Sequence, residues 1–234
     1  MLPSDDQTLV NAHFQSTLPH WRSIYSEDGI APLIYQQRRM RALQYIDDLC
    51  LLPNASVLEI GCGPGSGASW FVAREGYDLT GIDASPTAID KARERFAGEG
   101  LPGEFVVGPV DDLPFPDDSF DAVIDVVCLA CNPERETRTI LGEVHRVLKP
   151  GGLHFSLTPR SGCWGDEEGE RIDRTTLREV RCGPFAGLGT TRFATRESLV
   201  ALYGAFRDLA VEHTVRSAEN GTREITHWLV TCRK

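Results

Sequence analysis

The chain has 234 residues, with 34 acidic against 24 basic side chains and a net charge of −10 at pH 7. Such a length fits one α/β domain with an appended cap and leaves no room for two independent domains. The acidic balance argues against a nucleic-acid backbone or an anionic membrane as the main partner, which leaves a small molecule.

The opening residues MLPSDDQTLV are acidic where a secretion signal would be basic, and no apolar run approaches the length of a membrane span. A cytoplasmic protein is expected. Seven cysteines, an odd number, point to reduced thiols rather than a disulfide framework. Cys128-Leu129-Ala130-Cys131 has metal-like spacing, but Cys163 and Cys182 supply no matching second pair, so no metal is expected.

Residues 1–35 carry Phe14, Trp21, Tyr25 and Tyr35 among turn formers, and read as an arm that folds over the core. Over 36–52, Met40, Leu43, Ile46 and Leu49 mark one face of a helix, and Pro53 ends it. Val57-Leu58-Glu59-Ile60 then breaks into glycines at 61, 63, 65 and 67, the pattern of a buried strand feeding a loop without side chains. A short helix over 69–74, capped by Gly76, leads to a strand over 78–83. Ser85-Pro86 opens a helix whose buried stripe is Ile89, Ala92 and Phe96. Strands follow at 104–107 and 120–128, the second an apolar run suited to an internal parallel strand. Asn132-Pro133 starts the next helix by the same device as Ser85-Pro86, and Lys149-Pro150-Gly151-Gly152 stops it ahead of a strand over 153–158.

Alternation of strand and helix implies right-handed crossovers and a doubly wound parallel sheet. The rhythm breaks at 159–194, a glycine-rich, charged stretch too long for an ordinary connection and expected to cover the substrate as a lid. Thr195 caps a further helix with Leu199, Leu202, Tyr203 and Phe206 inward, and Asn220-Gly221 marks the turn of a final antiparallel hairpin. A single domain results: arm and helix over 1–52, cofactor core over 53–158, lid over 159–194, helix and hairpin over 195–234.

The glycines let the backbone turn sharply and let a flat polar ligand lie against it. A dinucleotide fingerprint would need glycine where Ser66 stands. Glu59 would repel a pyrophosphate but suits a ligand carrying an ammonium and a sulfonium. With these features, V-L-E-I-G-C-G-P-G resembles the glycine-rich motif of class I S-adenosylmethionine-dependent methyltransferases. The stretches D-D-L-P-F-P-D-D-S-F-D and V-L-K-P-G-G are similar to the small-molecule methyltransferases of ubiquinone and menaquinone biosynthesis.

The resemblance implies a mostly parallel, doubly wound seven-stranded sheet ending in the hairpin. It also implies S-adenosylmethionine as cofactor and in-line methyl transfer to an oxygen, nitrogen or carbon of a small metabolite. Carried over by position, cofactor contacts fall on Glu59, Gly61, Cys62, Gly63 and Gly65 of the loop. Asp83 and Ala84 follow at the end of the second strand, where a carboxylate can accept both ribose hydroxyls, and Asp125 lies on the fourth strand. One departure is clear: relatives place an acidic residue after the glycine that ends the third strand, and here Gly108 is followed by Pro109. Proline cannot take the adenine amino group, so the Val110 backbone, Asp111, or both must read the adenine.

Methyl transfer to an ionised acceptor needs positioning and water exclusion more than a base. His145 and His154 belong at the end of the sheet away from the ligand, whereas His13 and His20 lie in the arm with Tyr25 and Tyr35. His20 is the candidate general base, and Tyr25 and Tyr35 are candidate acceptor contacts. Of the arginines at 160, 171, 174, 178, 181 and 192, most are expected to pair with the acids of the same segment. Arg160, directly after the fifth strand, is the candidate to hold an acceptor carboxylate or phosphate, with Trp164 as an apolar alternative. Competing readings are a non-catalytic binder of the same cofactor and a nicotinamide oxidoreductase. A homodimer remains open.

Overall fold

A mostly apolar run such as Val57-Leu58-Glu59-Ile60 fits the interior of a sheet, and Ser56–Ile60 (β1) lies there between two parallel neighbours. The computed structural model describes residues 54–234. The arm, the helix expected over 36–52, and His13, His20, Tyr25 and Tyr35 lie outside the described residues.

β1 leads through the glycine loop to Ala68–Arg74 (α1) and Asp78–Asp83 (β2). Pro86–Glu99 (α2) begins where Ser85, in extended conformation, accepts from the Ala88 amide at 3.3 Å, and ends at left-handed Gly100. Its buried Ile89, Ala92 and Phe96 meet the sheet, and Phe96 stands edge-on to Phe105 with ring centres 4.7 Å apart. Burial of Ile89 or Phe96 contributes roughly 1.5–3 kcal/mol each.

Glu104–Val107 (β3), Phe120–Val126 (β4), Glu134–Val147 (α3) and Leu148–Pro159 (β5) continue the alternation. Three short antiparallel strands, Glu170–Arg171 (β6), Thr176–Arg178 (β7) and Thr190–Arg192 (β8), precede Arg196–Leu202 (α4). The long hairpin Arg207–Ala218 (β9) and Arg223–Arg233 (β10) closes the chain. The main sheet has seven strands in the order β3-β2-β1-β4-β5-β10-β9, parallel from β3 to β5 and antiparallel at β10 and β9. The doubly wound sheet with a terminal hairpin is therefore as expected, and the strand order reverses at β1, between β2 and β4. Among the described residues no helix is long and apolar enough to cross a membrane.

Three boundaries differ from the expected ones. β4 stops at Val126 because Val127 takes a left-handed φ of 70°, turning the chain into a single helical turn at Leu129–Cys131. Asn132 does not cap α3: its side chain donates to the Cys128 carbonyl at 2.9 Å, serving the turn before it, and α3 starts after Pro133. Lys149-Pro150-Gly151-Gly152 is not a break ahead of β5 but lies within it. Lys149 Nζ is held by Asp121 at 2.8 Å, and the register with β4 shifts there, with Gly151 at φ +81°.

The 159–194 segment carries more order than a simple lid. Cys163, Leu177, Val180, Phe185 and Phe193 form an apolar cluster of their own, completed by Ile225 of β10.

Candidate functional site

In a doubly wound sheet, ligands collect beyond the carboxyl ends of the strands, at the reversal of strand order. Here that place is framed by the loop after β1, the end of β2 and the turn after β4. Asp83 is its hub. One carboxylate oxygen accepts the Gly63 amide at 2.9 Å, the other the Ser85 amide at 2.8 Å, and its carbonyl accepts the Gly108 amide at 3.1 Å. One residue thus ties together the glycine loop, the start of α2 and the loop after β3. Each carboxylate oxygen keeps a further lone pair, and Asp83 is only half-buried.

The glycines divide by what surrounds them. A Cβ at Gly61 would lie 2.5 Å from Cys128, and one at Gly65 would press on Ala92 and Phe96 at 3.2 and 3.1 Å, so these two serve packing. At Gly63, with φ +53°, a Cβ would meet nothing within 4 Å among the described residues. This is the open, main-chain surface against which a flat ligand can lie.

Two of the expected ligand contacts, Glu59 and Asp125, are buried and already bonded within the fold. Glu59 is 3% exposed, and its carboxylate accepts the Ser69 amide at 2.6 Å and the Ser69 hydroxyl. It holds the first turn of α1 rather than facing the open surface, and burial raises its pKa from 4.5 to about 7. Asp125 is fully buried, accepting from Ser156 Oγ at 2.5 Å and from the Leu129 amide at 3.0 Å, and burial pushes its pKa up to about 6. Its role is to pin the turn after β4. Cys62 is buried too, its thiol pushed up to about 12 by burial and then by the charge of Glu59.

Ala84 is exposed directly after Asp83. In the loop after β3, Asp111 is exposed, whereas Val110 packs against the main core. That loop is clamped onto α3: Glu143 accepts the Leu113 amide at 2.8 Å, and Arg146 donates to the Leu113 and Phe115 carbonyls at 2.9 and 2.8 Å. His154, buried and stacked on Tyr203, bonds the Val123 carbonyl at 3.0 Å, and burial holds its pKa down at about 4, so it is a neutral core residue, but it sits in the middle of β5 rather than at its start, because the strand already begins at Leu148.

The lid residues separate sharply. Arg160 places its guanidinium 4.9 Å from the centre of the Trp228 ring and so has a partner of its own. Trp164 lines a surface cavity with Asp166, Glu167, Glu168 and Glu224, and no glycine-loop residue shares that lining. Arg178 and Arg181 pair loosely with Glu170 and Glu168. Arg192, which sequence reasoning grouped with the solvated arginines, is 1% exposed, and among the described residues its Nε and Nη1 have no hydrogen-bond partner. A faint signal was present: Arg192 sits in Thr191-Arg192-Phe193-Ala194, without an acid nearby, unlike most of the other lid arginines.

Residues 57–152 match the family described as methyltransferase domain. The chain is similar to a fatty-acid O-methyltransferase of Mycolicibacterium smegmatis, 43% identical over 162 residues that cover 68% of this chain and 56% of the relative. It is also similar to a phthiotriol/phenolphthiotriol dimycocerosates methyltransferase of Mycobacterium leprae, 34% identical over 152 residues, 62% of this chain and 55% of the relative. The chain thus spans a little over half the length of these relatives. Among solved structures, a SAM-dependent methyltransferase from Methanosarcina mazei superposes with a TM-score of 0.67 at 26% identity, over 81% of this chain and 96% of that one.

Proposed function

Because residues 57–152 are a methyltransferase domain of the class I, S-adenosylmethionine-dependent kind, we infer that this protein methylates an oxygen of a small, largely apolar acceptor of the lipid type. The observation that carries the reading is the open main-chain surface at Gly63 beside the half-buried carboxylate of Asp83. That arrangement fits the cofactor: Gly63 gives it a backbone surface, and the spare lone pairs of Asp83 suit ribose hydroxyls. The Val110 backbone and Asp111 are the proposed adenine contacts. When bound, the cofactor supplies a methyl carbon already activated by a positively charged sulfur.

What the chain adds is position and dryness. Glu59 and Asp125 set the loop and the turn that frame the site, and their buried bonds to backbone amides keep those frames from shifting. A base is required only where the acceptor arrives protonated, and His20 is proposed for that case, with Tyr25 and Tyr35 beside the acceptor. The net charge of −10 supports a small acceptor in the cytoplasm over nucleic acid or membrane.

The test is calorimetry with S-adenosylmethionine and its demethylated product, followed by transfer of a labelled methyl group to fatty acids and hydroxylated lipids. Binding in the micromolar range and labelled ester or ether are expected. Binding of NADH in place of S-adenosylmethionine overturns the reading.

A further inference from the structure

We propose that Glu143 and Arg146 of α3 are positioning residues for the cofactor: they hold the loop after β3 in place so that its main chain recognises adenine and rejects other purines. The proposal rests on the reading of the site as a seat for S-adenosylmethionine and concerns how the base is recognised.

The loop is tied at both ends and bare between them. At its start the Gly108 amide donates to the Asp83 carbonyl at 3.1 Å. Farther along, the Leu113 amide donates to Glu143 at 2.8 Å, and Arg146 Nη2 and Nη1 donate to the Leu113 and Phe115 carbonyls at 2.9 and 2.8 Å. Nη1 also donates to Asp117 at 2.9 Å, and the Arg146 carbonyl accepts the Asp118 amide at 3.1 Å. Among the described residues the amides of Val110, Asp111 and Asp112 have no hydrogen-bond partner, although Val110 is half-buried. These donors are available to a base.

The tie is stronger than an ordinary surface ion pair. Arg146 meets Glu143 as a two-pronged pair, Nε to Oε1 at 2.9 Å and Nη2 to Oε2 at 2.7 Å, and those bonds hold the Glu143 carboxyl below the usual carboxylate range. With the two carbonyls and Asp117, all five N–H donors of the guanidinium are in use. The helix that carries the clamp buries Ile140, Leu141, Val144 and Val147 in the core. On the loop side, Leu113 is buried in the same core, and Pro109, Pro114 and Pro116 each fix φ.

Such fixing matters because Pro109 stands where an acidic side chain would take the adenine amino group. A side chain can rotate to follow its ligand. Main-chain amides cannot, so they recognise a base only where the loop is ordered before the base arrives and the cost of ordering is not drawn from binding. Adenine N1 accepts a hydrogen bond, whereas hypoxanthine, with oxygen in place of the amino group, carries a proton at N1. A fixed N–H facing N1 therefore favours the first base and is left unpaired by the second.

Calorimetry on the full chain compares S-adenosylhomocysteine with S-inosylhomocysteine, the same ligand with hypoxanthine as its base. The parent should bind the adenine ligand at least about tenfold more tightly. Arg146→Ala should reduce that ratio to about threefold or less, with the loss on the S-adenosylhomocysteine side. Arg146→Lys keeps the charge without the five donors and should fall between; it and Glu143→Gln serve if the Ala variant does not fold. Arg138→Ala, which removes the 2.7 Å pair with Glu134 on the same helix, should leave the ratio at the parent value. An Arg146→Ala variant that melts lower but keeps parent affinity and ratio makes the clamp structural only and overturns the proposal. A ratio that falls equally in Arg138→Ala overturns it too, since general weakening of α3 would then be the cause. Equal binding of both ligands by the parent overturns recognition of the base by this loop and leaves the cofactor assignment standing. A parent that binds neither ligand overturns both readings.

Discussion

The acids of the cofactor core and the arginines of the 159–194 segment are held by different means. In the core each acid that matters is bonded to main chain: Glu59 to the Ser69 amide, Asp83 to those of Gly63 and Ser85, Asp125 to that of Leu129. In the segment Arg178 and Arg181 reach their acids only at 3.8 and 3.9 Å from exposed positions, while Arg192 is buried by neighbours from separate elements. A short carboxylate tied to backbone is placed by the local chain. A guanidinium on a long stem is placed by whatever packs around it, and so the two regions should respond differently to substitution.

The largest effect is expected at Gly63. Gly63→Val fills a loop position that faces open space among the described residues, and should abolish S-adenosylmethionine binding, by about 100-fold or more, with thermal stability lowered only by the cost of a branched residue at positive φ. Calorimetry and a melting curve on one preparation check both halves; normal affinity would make the loop structural only.

Glu59 probes the backbone-bonded acids through pH. Its folded pKa of about 7 lies above the ordinary 4.5, so the native state retains a proton that the unfolded chain has lost between those values. Its contribution to stability is full below about 4.5 and declines as pH rises through about 7, on the order of 3 kcal/mol in all. Asp125 acts in the same direction between 3.8 and about 6, and His154 in the opposite direction between about 4 and 6.5. The difference between parent and Glu59→Gln isolates the one group: the parent should lose stability relative to the variant from pH 4.5 to 8, and parallel profiles would place the Glu59 carboxylate in water.

Asp83→Ala should weaken cofactor binding by roughly 1–3 kcal/mol and also lower the melting temperature, because the Gly63 and Ser85 amides lose their acceptor. Asp111→Ala, at an exposed position with the Val110 backbone beside it, should cost less than about 1 kcal/mol in the same titration. A reversed order would give Asp111 the whole adenine contact. Smallest of all, Arg181→Ala removes an exposed ion pair and should shift stability by about 0.5 kcal/mol or less. A larger loss in chemical denaturation would mean that the segment relies on its surface charges after all.

How legible each part was follows from range. The bounds of β2 and β3, the Ser85 cap, the Thr195 cap and the hairpin turn at Asn220-Gly221 each depend on a few adjacent residues, and each lies where it was expected. Asn132 was misread because its side chain had two nearby uses, capping α3 or serving the Cys128 carbonyl, and local pattern does not rank them. The end of β4 was misread because Val127 carries no mark of a left-handed conformation; a β-branched residue is poorly suited to it, and the surrounding turn imposes it.

The sequence by itself determined the alternation of strand and helix, the terminal hairpin, the glycine loop and the carboxylate of Asp83, since backbone-level signals act over a few residues. Only the tertiary structure decided which glycine faces open space and which two face Cys128 and α2, because that depends on neighbours 67 and about 30 residues away. It alone showed that Glu59 and Asp125 are buried and bonded to the first turn of α1 and to the turn after β4. And it alone separated Arg192 from the arginines around it, because its burial depends on β8 packing against the Leu129–Cys131 turn, about 60 residues earlier in the chain.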